Sequence, residues 1–131
     1  MFDNFSTGHN VMLRPNVTYI RGDISKWNDF SQLRMLKIDY CVHLAAAISV
    51  VESMTNPEKY HAINVEGSRN VFSFCCENNV KAVVSASSAA IYGDRGRSAI
   101  TENLGYGGIS PYAKSKFEME QLAADPRLKQ S

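Results

Sequence analysis

A chain of 131 residues with 44% hydrophobic and 21% charged side chains has the composition of one globular domain, expected to span residues 1–131 and to bury a core. A net charge of +1, with scattered lysines and arginines, argues against nucleic acid as the main partner. No apolar leader follows Met1, and the longest uncharged apolar stretch, around Val42–Val51, is too short to span a bilayer. No membrane partner and a cytoplasmic location are therefore expected.

In chain order, Phe2–His9 is a polar turn, and Val17–Arg21 alternates as a short strand running into Gly22-Asp23-Ile24. Trp27, Phe30, Leu33 and Leu36 recur at spacing three and predict a helix with one apolar stripe in the core. Ile38–Ala46 reads as a buried parallel strand ending in small residues, which let a flat ligand approach the backbone. His43, at its end, reads as structural rather than catalytic. Asn56-Pro57 sets the cap and first position of a long helix to about Asn78. Gly67 inside it costs about 1 kcal/mol against alanine, so a close-packing reason is expected.

Val80–Val84 is a further apolar strand, opening into Ser85-Ala86-Ser87-Ser88-Ala89-Ala90-Ile91-Tyr92-Gly93. Gly105-Tyr106-Gly107-Gly108 follows no strand and is not a phosphate-binding fingerprint. Ser110 and Pro111 are an N-cap and first-turn proline, so the last helix begins there; Asp125-Pro126 ends it before a polar tail. Cys41, Cys75 and Cys76 are odd in number and lack metal-ligand spacing, as do His9, His43 and His61. Reduced structural thiols and no metal are expected.

On the last helix Tyr112 and Lys116 are i and i+4, stacked on one face. A free tyrosine titrates near ~10, and bringing it to neutral pH takes roughly 4 kcal/mol. An ammonium one turn away favours the phenolate, and the Ser88 hydroxyl is available to orient an oxygen whose proton that phenolate accepts.

Ser85–Gly93, followed by Ser110-Pro111-Tyr112-Ala113-Lys114-Ser115-Lys116, resembles the extended short-chain dehydrogenase/reductase superfamily, and within it the nucleotide-sugar epimerases. The resemblance implies an α/β fold, a Rossmann-like doubly wound parallel sheet of strand order 3-2-1-4-5-6, with NAD as cofactor. Tyr112 would take the proton of a sugar C4 hydroxyl, Ser88 would hydrogen-bond the reacting oxygen, and Lys116 would hold the nicotinamide ribose. Asp3 and Asn4 match an Asp-Asn-x-x-x-Gly segment whose Asp binds the adenosine ribose. Asp23 and Ile24 match a Gly-Asp-Ile whose Asp binds the adenine amino group; a helix-capping role is its alternative. Leu44, Ala45 and Ala46 follow His43 in the cofactor strand. Asn64 of Asn-x-x-Gly-Ser is a strut behind the cofactor or a solvated face.

The implied substrate is a UDP-hexose type nucleotide sugar. Ile48 stands where the best-known UDP-galactose epimerases carry lysine, which leaves the sugar open. Ala89-Ala90 replaces the Asp-Glu of the related dehydratases and can transfer no proton, so epimerisation is favoured over elimination. Helices near 56–78 and 110–124 form a homodimer bundle in the family.

Only two residues precede Asp3, so a partial fold is expected, lacking its first strand, first helix, glycine fingerprint and substrate lobe. Ile38–His43 should then pair with Ala82–Ser87, with Val17–Arg21 poorly paired or displaced. The alternative to an epimerase is an inactive fragment or a dimerisation module of the same family.

Overall fold

The computed structural model describes residues 1–7 and 14–125; Gly8 and His9 of the opening turn and the tail beyond Asp125 lie outside these. Among the described residues the strands form two parallel pairs. Strand β1 (Phe2–Asp3) pairs with β2 (Ile20–Arg21), and β3 (Tyr40–His43) pairs with β4 (Ala82–Ser85). A 3-10 helix, Trp27–Leu33, lies between β2 and β3. Helix α1 (Val50–Thr55) precedes a continuous helical rod made of α2 (Pro57–Tyr60), a π-helical turn (His61–Glu66) and α3 (Gly67–Glu77). After β4 come a 3-10 turn, Ala89–Tyr92, and α4 (Pro111–Ala124).

The expected pairing of the 38–43 and 82–87 segments is present: Tyr40 lies opposite Ala82 and His43 opposite Ser85. Lys81 N to Asp39 O (2.9 Å) and Ala86 N to His43 O (3.1 Å) carry the ladder past both ends. The expectation for Val17–Arg21 holds in part: only Ile20–Arg21 is a strand, and its pair is separate from β3–β4. It is not left unpaired, because Met1–Asp3 lies alongside it, with Ile20 N to Met1 O at 2.8 Å and Gly22 N to Asp3 O at 3.0 Å. The three N-terminal residues are enough to satisfy its backbone groups on one edge.

One apolar core joins the two strand pairs. Phe2 packs on Phe30 (centroids 5.3 Å) and Phe30 on Phe74 (5.4 Å), around Ile24, Leu33, Val71, Phe72, Cys75 and Met119. Two expectations about this core need correction. Phe30 and Leu33 are buried, but Trp27 and Leu36 are exposed at the ends of the stripe, with Arg34 over the Trp27 ring. Strand β3 is covered on one face only: Cys41 and Val83 meet the core, whereas Tyr40, Val42 and Val84 are about two-thirds exposed. A continuous apolar run reads as doubly buried, and which face is covered depends on elements far away in sequence.

Gly67 has the close-packing reason expected of it: a Cβ there would lie 2.9 Å from the Ile24 side chain. Asn70 Nδ2 donates to Ile24 O (2.9 Å) across the same contact. Pro57 takes its first-turn position, but Asn56 makes no side-chain cap; Ser49 caps α1 by accepting from Glu52 N (3.1 Å).

Candidate functional site

The C-terminal ends of the strands carry the candidate residues. Past β4 the chain turns at Ser88, whose hydroxyl accepts from Ala90 N (3.2 Å) and starts the Ala89–Tyr92 turn. That turn ends at Gly93, which needs to be glycine: its φ is +70°, and a Cβ would meet Gly107 O at 2.1 Å. Arg95 clips the following loop shut, donating to Tyr92 O (2.7 Å) and Gly105 O (3.0 Å). The loop delivers Ser110, which caps α4 by accepting from Ala113 N (3.1 Å), with Pro111 at the first position as its sequence requires.

Tyr112 and Lys116 therefore sit on the first turns of α4, next to the end of β4. Lys116 is buried and reaches Ala86 O (2.5 Å), two residues before Ser88, with Met119 Sδ 3.6 Å away. Burial pulls the Lys116 ammonium below its ordinary range, partly countered by Glu120. The Tyr112 ring packs edge-on against Tyr60 (centroids 6.3 Å). Tyr60 is fully buried and donates to Glu52 Oε2 (3.0 Å), and Lys59 pairs with the same carboxylate. Thus Lys116 contacts the β4 end and Tyr112 contacts α2.

Asn64 is not on a solvated face. Its side chain is buried; Oδ1 accepts from Ala47 N (2.8 Å), and Nδ2 donates to Ala47 O (2.9 Å) and Ser115 Oγ (2.9 Å). His43 is buried against Ser68, with Nε2 to Oγ at 2.8 Å, and edge-on to Phe72. Burial, and then the Lys116 charge, lower its pKa to about 4, so it is neutral near pH 7 and fits its structural reading. Cys75 is buried in the core, its thiol pushed up by the hydrogen bond with Cys41 and by burial.

The candidates for the adenosine end follow β1 and β2. Asn4 Nδ2 donates to Asp23 Oδ2 (3.2 Å), joining the two strand ends, while Asp3 Oδ1 accepts from Phe5 N (2.8 Å). Asp23 Oδ1 accepts from both the amide and hydroxyl of Ser25, but the Trp27–Leu33 helix has Lys26 at its N-cap and no side-chain cap, so the capping alternative is not realised. Burial raises Asp23, but the Ser25 and Asn4 hydrogen bonds and Lys26 outweigh it and hold the carboxyl below its ordinary value. The Ile24 side chain is in the core; Leu44 and Ala45 are exposed and Ala46 half-buried at the end of β3.

The family described as "NAD dependent epimerase/dehydratase family" matches residues 1–129. This chain belongs to that family. UDP-glucose 4-epimerase of Lactobacillus helveticus is 37% identical over 125 residues, covering 95% of this chain and 38% of that protein. The enzyme of the same description from Caenorhabditis elegans is 40% identical over 91 residues, covering 68% and 26%. Among solved structures, the Thermus thermophilus UDP-glucose 4-epimerase in complex with NAD superposes with a TM-score of 0.89 at 28% identity, covering 94% of this chain and 40% of that one. The Bifidobacterium longum enzyme in complex with NAD+ and UDP gives 0.87 at 28%, covering 98% and 41%. The fold is thus the α/β fold of these epimerases, and the chain spans 26% to 41% of the length of the four relatives.

Tyr60, Ser68 and Ser115 lie in this site and were not singled out from sequence. Tyr60 and Ser68 stand four residues either side of Asn64, on its helix face, which is the one signal that marks them. Ser115 is inside the Tyr-x-x-x-Lys motif but has no chemistry of its own to announce it.

Proposed function

We propose that these residues serve an NAD-dependent nucleotide-sugar 4-epimerase acting on a UDP-hexose. The observation that carries the reading is Lys116 bonded to the carbonyl of Ala86, which locks the Tyr112 turn of α4 to the strand end bearing Ser88. NAD supplies reversible hydride acceptance when bound. Tyr112 takes and returns the proton of the reacting hydroxyl, Ser88 orients that oxygen, and Lys116 supplies positive charge beside the turn. The residues present fit a dinucleotide: Asp3 and Asp23 sit together at two strand ends, tied by Asn4, and small Ala45 and Ala46 leave the end of β3 open. Cys41 and Cys75, which meet as thiols, fit a reducing, cytoplasmic location. The outer faces of α2, α3 and α4 are the proposed homodimer surface.

The test transplants this chain in place of the matching segment of the Lactobacillus helveticus enzyme and assays UDP-glucose to UDP-galactose conversion. The chimera is expected to turn over, and Tyr112→Phe to reduce kcat by about 10²–10⁴-fold, the usual range for a lost acid–base group. A folded chimera without activity, or one indifferent to Tyr112→Phe, overturns the reading. By itself the chain is expected to bind NAD weakly, because its sequence has no glycine fingerprint opening a helix toward the pyrophosphate. Micromolar affinity in calorimetry would refute that expectation.

A further inference from the structure

Four buried polar residues link β3 to the Tyr112 turn, the Ser68–Asn64 step passing through the Asn64 backbone carbonyl: His43, Ser68, Asn64 and Ser115 are each no more than 6% exposed. Their donors and acceptors can be assigned without seeing a hydrogen, because the Ser68 and Ser115 hydroxyls each face a backbone carbonyl, which only accepts. Ser68 Oγ lies 2.6 Å from Asn64 O, and a carbonyl only accepts, so the one Ser68 proton is committed there. His43 Nε2, 2.8 Å from the same hydroxyl, must then be the donor. The ring is neutral near pH 7. Its proton therefore sits on Nε2, and Nδ1 is bare.

The other end closes the same way. Ser115 Oγ is 2.8 Å from Tyr112 O, so its proton is committed to that carbonyl, and it accepts from Asn64 Nδ2 at 2.9 Å. The Asn64 amide has its orientation fixed independently, since Ala47 offers its N–H to Oδ1 and takes Nδ2 on its carbonyl. Every link has one direction, and reversing one leaves a buried group without its partner. Such fully satisfied buried networks hold a unique geometry.

We infer that Ser115 is a positioning residue for Tyr112: it fastens the carbonyl of Tyr112 to Asn64, and through Asn64 to Ala47, at the end of the β3 segment. Lys116 meets the β4 end from the next position, so the first turn of α4 is pinned to both strands of the pair. Asn64 cannot do this alone, because its second amide proton has no partner on α4 other than the Ser115 hydroxyl. Alanine at 115 removes that acceptor; the Tyr112 carbonyl keeps its helical N–H partner, and what is lost is its tie to Asn64. The inference rests on the reading of Tyr112 as the proton-transferring residue, but the fastening itself is measurable without turnover.

The experiment uses the 131-residue chain in solution. Amide hydrogen exchange of Ser115→Ala is expected to rise about tenfold or more at 113–116, with Phe74 and Val83 unchanged, and the Tyr112 ring carbon resonances are expected to move. Ser115→Thr, which keeps the hydroxyl, should restore both. Exchange that rises evenly over the whole chain, or a Tyr112 ring that does not respond, overturns the positioning role. Should Ser115→Ala fail to fold, the Asn64 side-chain amide in the unaltered chain decides: slowly exchanging Nδ2 protons with nuclear Overhauser contacts to the Ser115 methylene support the fastening, and a rapidly exchanging amide without those contacts overturns it. A chimera indifferent to Tyr112→Phe, with the Ser115 results as expected, would instead refute the catalytic reading and leave the fastening standing.

Discussion

His43 sits in surroundings that disfavour its charged form. The folded ring has its pKa lowered to about 4 from 6.5, by burial first and by Lys116 second. Between those values the unfolded chain binds more protons than the folded one, so stability rises with pH there. The contribution is fully present above about 6.5 and is lost as pH falls toward 4. At 1.36 kcal/mol per unit the whole window is worth about 3 kcal/mol. Urea unfolding at pH 7 and pH 4.5 should show most of that loss in the unaltered chain. His43→Gln, which can still donate to Ser68 but cannot titrate, should lose about 2 kcal/mol less between the two pH values. At this scale the sequence is informative where a residue acts on its own backbone neighbourhood: Ser110 and Pro111 start α4 as their chemistry requires. It is uninformative about partners. Nothing in Tyr-x-x-x-Lys says that Lys116 bonds Ala86 O while the Tyr112 ring packs on Tyr60.

Among the elements, the rod from Pro57 to Glu77 is legible as one helix, and its glycine as a packing site. Gly67→Ala should gain about 1 kcal/mol by helix propensity alone. Here the added methyl meets Ile24 at 2.9 Å, and overpacking of that kind costs about 1–3 kcal/mol. Net destabilisation by thermal unfolding is the expected outcome, and its cost should shrink in an Ile24→Ala background, which removes both Cδ1 and Cγ1 that the methyl meets; a more stable Gly67→Ala chain would contradict the contact. The Trp27–Leu36 stripe and the covering of β3 depart from their sequence patterns for a common reason. Periodicity reports that side chains share a face, while burial depends on what is packed over that face, and the second face of the β3–β4 pair lies open. The pairing of β2 is hidden in the sequence because two residues, Phe2 and Asp3, are too few to show a strand pattern but enough to make a ladder.

For the molecule as a whole, two surfaces compete to be the place where copies meet. One is the open β3–β4 face with Tyr40, Val42 and Val84 exposed. The other is the outer side of α2, the π turn and α4, where Glu118 lies 3.8 Å from His61 and 3.7 Å from Lys114, beside a cavity of about 200 Å³ lined also by Pro57 and Pro111. The helical surface is the one proposed for the homodimer, because its apolar cavity is rimmed by charges of both signs that can pair across a twofold axis. Light scattering is expected to give twice the chain mass. Lys114→Glu, which places like charges beside Glu118, should shift it toward monomer by tenfold or more in dissociation constant, while Val42→Lys should leave it unchanged. The reverse pattern would assign the contact to the sheet.

The π-helical turn His61–Glu66 bears on which changes of chain length this protein can absorb. A turn closed by i→i+5 bonds holds one residue more than its α-helical counterpart. Residue i+5 here takes the place that i+4 takes in an α-helix, so removing one residue closes an ordinary α-helical turn and leaves the two halves of the rod in nearly the same orientation. Loss of the exposed Ala62 should therefore leave Tyr60 against Tyr112 and cost little in thermal unfolding. A residue added to the turn has no such slack; taken up as α-helix it would rotate everything upstream by about 100° relative to α3, swinging Tyr60 off Tyr112 and taking the Glu52 contact with it. The turn is a place where the chain can shorten by one residue, but not lengthen, without the fold changing.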